Sequence, residues 1–114
     1  MGTVTSLTDR SRGAARRVYF DRAELNRLLN TYSRFVAAGH WRDYAIDHDA
    51  GEAVFSIFRS SFEQPLFAIE KTIPRPGQPA LYRLRSGREV LKQSRELEEV
   101  LAVLERQPRL VSSG

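Results

Sequence analysis

The stretch from Ala53 to Lys71, AVFSIFRSSFEQPLFAIEK, limits most strongly what this chain can fold into. Its two runs AVFSIFR and PLFAIEK are dense in aromatic and β-branched residues, and a short polar segment closing on a proline separates them. Such runs fit a pleated ribbon, so the stretch reads as two neighbouring antiparallel strands. Side chains alternate along a strand, which sends Ala53, Phe55 and Ile57 one way and Val54, Ser56 and Phe58 the other. In the second strand Phe67 and Ile69 oppose Leu66 and Ala68 by the same rule. Both faces therefore carry large apolar side chains. A sheet with one wet face has no need of this, so the second face requires a cover: either two helices take opposite faces, or a partner subunit closes one of them.

Helical patterns flank this sheet on both sides. Asp21 with Glu24 three residues later has the form of a capping box, and Phe20 with Leu25 that of a hydrophobic staple. Leu25, Leu28, Leu29, Tyr32, Phe35 and Val36 recur at three- and four-residue steps, Arg22, Asn26, Asn30 and Arg34 lie opposite, and Gly39 can supply the left-handed residue that ends a helix. Val18 to Phe20 ahead of it reads as a short edge strand. After Trp41 the period shortens to two, with Tyr44 and Ile46 alternating against Asp43, Ala45 and Asp47, and Asp49-Ala50-Gly51 turning the chain into the run at Ala53. The segment IPRPGQP at 73–79 reads as a loop. Leu81–Arg85 and Glu89–Gln93 then form a hairpin around Ser86-Gly87, with Tyr82 and Leu84 on one face. Ser94 is expected to cap a final helix with Glu96, Glu98 and Glu99 in its first turn, Leu97, Val100, Leu101 and Leu104 as its buried stripe, and Pro108 as its stop.

The expected fold is thus α+β: an N-terminal helix, a four- to five-stranded antiparallel meander and a C-terminal helix. With 114 residues there is room for one domain, over 18–111, behind a flexible basic arm at 1–17 that carries Arg10, Arg12, Arg16 and Arg17. The chain has no cysteine, which removes disulfides, thiolate metal sites and thiol nucleophiles together. It also has no apolar run long enough to span a bilayer and no hydrophobic segment near its start, so a cytoplasmic protein without membrane contact is expected.

The formal charge of +4 is unevenly spread. Residues 1–17 carry +3, 18–70 carry −3, 71–92 carry +5 and the remainder −1, counted from the same sequence. Arg83 and Arg85 share a strand face, with Arg75, Arg88 and Lys92 nearby in sequence, which makes these five the candidates for nucleic-acid binding. Against that, all but two of the 18 basic residues are arginine, a bias that genome composition alone produces. Trp41, Phe55, Phe58 and Phe67 are the candidates for contact with a protein partner or a second copy of the chain, Trp41 as an amphipathic residue beside a helix end. The alternative for Trp41 is closure of the core.

Catalytic and metal chemistry find little support. His40, Asp43, Asp47, His48, Asp49 and Glu52 form the densest polar cluster, yet they lack the order of a hard-cation loop and alternate between strand faces. No serine sits in a nucleophile elbow, no lysine sits in a buried apolar pattern, and Gly77 and Gly87 stand alone rather than in a phosphate loop. No cofactor is expected. The preferred reading is a non-enzymatic protein-binding or regulatory module, with nucleic-acid binding as the alternative.

The segment VYFDRAELNRLLNTYSRFVAAGHWRDYAIDH, followed by AVFSIFR and PLFAIEK, resembles a family of small bacterial proteins, domain of unknown function 2794. The resemblance covers about 18–111, and VAAGHWRDYAIDH is its most distinctive phrase. It implies a soluble cytoplasmic bacterial protein and carries over no functional residues.

Overall fold

The computed structural model describes residues 17–48, 51–60 and 64–107. Its elements follow in the order α1 (Arg22–Ala37), β1 (Asp43–His48), β2 (Glu52–Phe58), β3 (Phe67–Thr72), β4 (Leu81–Ser86), β5 (Glu89–Ser94) and α2 (Leu97–Leu104). The five strands form one antiparallel sheet in sequence order, the expected meander at the upper of the two strand counts.

Helix α1 begins and ends on local chemistry. The Asp21 carboxylate accepts from the Glu24 backbone N–H at 2.8 Å while Glu24 Oε1 accepts from the Asp21 N–H at 2.8 Å, so both halves of the capping box are made. At the other end Gly39 takes φ +85, its N–H reaches the Val36 carbonyl, and the His40 N–H reaches back to Phe35, which is the Schellman closure. The buried stripe of α1 runs through Glu24, Leu28 and Thr31, with Leu25, Leu29, Tyr32 and Phe35 at its flanks. Val36, expected on that stripe, is exposed, because the helix sits rotated toward Glu24 and Thr31.

Val18 to Phe20 is not a strand. Val18 and Phe20 are nevertheless buried, and the segment is held by Lys71, whose ammonium donates to the Tyr19 carbonyl at 2.7 Å instead of by a backbone ladder. Ser94 is not the N-cap of α2. That position falls to Glu96, and Ser94 instead accepts from the Glu96 N–H at 3.0 Å and donates to Glu99 at 2.8 Å from the end of β5. The basic arm up to Arg16, the Asp49-Ala50 part of the first turn and Pro108 lie outside the described residues.

The register sorts the two faces of the sheet. Ile46, Phe55, Ile69 and Leu84 lie in one row across four strands, with Tyr44, Ile57 and Phe67 beside it on the same face. Phe55, Ile57, Phe67, Ile69 and Leu84 join Leu28 of α1 and Leu97, Val100, Leu101 and Leu104 of α2 in a single buried cluster, with Ile46 packed against it and Tyr44 exposed at its edge. Both helices therefore lie on the same face, and α1 also touches α2. Of the two alternatives for covering the second face, the one with the helices on opposite faces is overturned. The physical reason is that each helix has one apolar stripe, and pooling both over one sheet face yields a core thick enough to exclude water. Among the described residues no helix is long and apolar enough to cross a membrane.

Candidate functional site

Two places concentrate polar chemistry: a buried network on the helical side and the uncovered side of the sheet. In the first, Glu24 of α1 reaches into the core. Its Oε1 receives the Lys71 ammonium at 2.7 Å, and its Oε2 accepts from the Tyr82 hydroxyl. Glu24, Lys71 and Tyr82 are all buried. The Lys71 ammonium and the Tyr82 hydroxyl are both aimed at acceptors, and these bonds hold α1 and the preceding residues to β3 and β4. Burial, then the hydrogen bond to Glu24, raises the Tyr82 phenol well above its ordinary pKa.

The expectation that no lysine sits in an apolar pattern fails at Lys71. It pairs laterally with Ala53 and Tyr82 and follows Phe67 and Ile69 at alternate positions, so it projects into the core. That parity was readable in the sequence. Its partner was less so, since Glu24 carries an equally good explanation as a capping residue.

On the opposite face two rows cross the sheet. Asp47, Val54, Glu70, Arg83 and Gln93 form one, and Ala45, Ser56, Ala68, Arg85 and Val90 the next. Asp43 and Phe58 pair beyond them. None of the helices covers these residues. Glu70 lies between two arginines, 3.5 Å from Arg83 and 3.7 Å from Arg85. An open cleft lies at the end of this face nearest the β4–β5 turn, where Gln64, Pro65, Glu70, Arg85 and Arg88 contribute to its walls.

Of the four candidate partner-contact residues, three are core. Trp41 is 3% exposed, Phe55 0% and Phe67 3%. Trp41 packs 4.6 Å from the Phe35 ring and 6.4 Å from Phe67, so it closes the core as the alternative reading had it. Its indole Nε1 is buried with no hydrogen-bond partner among the described residues. Phe58 alone of the four lies on the uncovered face, where it is partly buried.

The five candidate nucleic-acid residues do not form one patch. Arg83 and Arg85 share the uncovered face, but Glu70 stands between them. Arg75 lies in the β3–β4 loop, at the Thr72–Leu81 end of the sheet, whereas Arg88 lies in the turn at the other end. Lys92 pairs with Leu84 on the helical face and sits 3.9 Å from Glu99 of α2. Meander order places segments close in sequence at alternating ends and faces, which is why proximity along the chain misled here.

His40 packs against the Phe35 ring at 5.9 Å and His48 against Tyr19 at 4.4 Å. Among the described residues no three His, Asp or Glu side chains are placed to hold a metal ion.

A family model described as a protein of unknown function, DUF2794, matches residues 18–101. No curated protein and no solved structure matches the chain.

Proposed function

The chain belongs to the DUF2794 family, proteins of unknown function, and we propose that it is a non-enzymatic protein-docking module that offers the uncovered face of its sheet to a protein partner. The observation that carries this reading is the one-sidedness of the fold. Both helices join the core on one face, while Val54, Phe58, Ala68 and Val90 project from the other. Val90 is 46% exposed, and apolar side chains of this size on a face rimmed by charge are what a docking surface offers. The histidines support no acid–base site, since each contacts an aromatic ring and the cleft contains neither. A chain without cysteine suits a reducing cytoplasm. Scattering of the five basic candidates and the neutralising position of Glu70 weigh against nucleic acid as the ligand.

The reading is tested by affinity capture from the producing cells, with wild-type protein and Phe58→Asp as baits and a nuclease-treated sample in parallel. Recovered proteins should fall at least about tenfold with the variant, because a carboxylate in place of the largest apolar side chain of a drying interface is costly. Recovery should be insensitive to nuclease. Equal recovery by both baits sinks the reading, and loss on nuclease treatment transfers it to nucleic acid.

A further inference from the structure

The uncovered face changes sign across its strands. Asp43 and Asp47 project from β1, Glu52, Val54, Ser56 and Phe58 from β2, Ala68, Glu70 and Thr72 from β3, and Leu81, Arg83 and Arg85 from β4. Asp43 and Asp47 are exposed, and among the described residues Asp47 has no ion-pair partner. Glu70 sits between two arginines and leaves the β4 side of the face with a net positive charge. The outer strand β1 is thus acidic and β4 basic, with Val54, Phe58 and Ala68 among the side chains between them.

We propose that the occupant of this face is a second copy of the same chain, docked sheet to sheet about a two-fold axis that runs parallel to the strands between β2 and β3. This deepens the docking reading above and rests on it. A rotation about that axis preserves position along the strands and reverses their order across the interface. It sets β1 of one copy over β4 of the other and β2 over β3. Asp47 and Arg83 share a row within each copy, so the rotation brings Asp47 of each over Arg83 of its mate. Asp43 lies one row beyond Arg85 and approaches it in the same way. Val54 then lies over the arginine-paired Glu70, which is already desolvated with its side chain 14% exposed, Ser56 lies over Ala68, and Phe58 lies one row beyond. A two-fold interface has to be self-complementary, and a sign change across the strands satisfies that requirement.

Area sets the strength of the association. Four overlapping strands about 4.8 Å apart and six residues long give a face of roughly 400 Å², so that two copies bury on the order of 800 Å². This is below the standard size of specific interfaces, so the association is weak, of micromolar order or weaker.

The test uses the full chain in sedimentation equilibrium across that range. Wild type should pass from monomer to dimer, and Asp47→Arg, at an exposed edge position that leaves the fold intact, should weaken association at least about tenfold. The geometry has its own readout, because the chain contains no cysteine to compete. A mixture of Asp47→Cys and Arg83→Cys proteins should be joined by a bis-maleimide spanning about 10 Å, the spacing of packed sheets. Asp47→Cys alone should not be joined, since the two β1 strands lie on opposite flanks of the interface. A monomer at every concentration overturns the proposal, and so does a dimer that fails to join 47 to 83 or ignores Asp47→Arg. If the protein is monomeric while Phe58→Asp still abolishes capture of another protein, self-pairing is wrong and the docking face stands.

Discussion

At the scale of single residues, Glu24 has the most work. Its carboxylate completes the capping box, receives the Lys71 ammonium and accepts the Tyr82 hydroxyl. Ionised Tyr82 would set a second negative charge against it inside the core, so the folded protein retains the phenol proton more tightly than the unfolded chain does. With the folded pKa above the ordinary 10.0, the stabilisation from this group is complete below about pH 10 and is lost as the pH rises past it. Denaturant midpoints, followed by the fluorescence of the single tryptophan, should therefore fall more steeply above about pH 10 in wild type than in Tyr82→Phe. At about pH 8 the variant should be less stable by about 1.5–3 kcal/mol, the worth of a hydrogen bond to a charged group. Parallel pH curves for the two proteins would show that the phenol does not titrate against the fold.

At the scale of elements, α1 illustrates how far local rules reach. Capping box, staple residues and left-handed glycine stand where the letters put them, because each depends on contacts within one turn of helix. A Cβ at Gly39 would meet nothing within 4 Å, so replacement there is opposed by backbone conformation alone. Gly39→Ala should cost about 1–2 kcal/mol in thermal or denaturant unfolding, and Gly39→Asn less, since asparagine tolerates the left-handed region. An alanine variant as stable as wild type would mean that the Schellman turn contributes nothing. Strand parity was equally legible: Ala53, Phe55, Ile57, Phe67, Ile69, Tyr82 and Leu84 all face the core as alternation requires. The start of α2 was not, because β5 runs on through Ser94 and the N-cap position falls to Glu96, whose side chain makes no cap hydrogen bond.

At the scale of the molecule, a domain with both helices on one face has to anchor α1, which touches α2 and the sheet but has no sequence neighbour across it. The Glu24–Lys71 pair supplies a link between residues 47 positions apart. Removing one partner strands a buried charge, so Glu24→Gln and Lys71→Met should each cost about 3–5 kcal/mol. The double variant should lose less than the sum of the two, with a coupling of at least about 1 kcal/mol measured by denaturant unfolding. Additive losses would mean that the two charges do not sense one another and that α1 is held by apolar contact alone.

Periodicity, capping letters and strand alternation decided the elements, their order and which side chains share a strand face, since these depend on neighbours within a few residues. Only the tertiary structure decided that both helices share a side, that Trp41, Phe55 and Phe67 are interior, and that Arg75, Arg88 and Lys92 part company with Arg83 and Arg85. Those outcomes turn on which stripes pool into one water-excluding core, a property of all the elements at once that no local window of sequence contains.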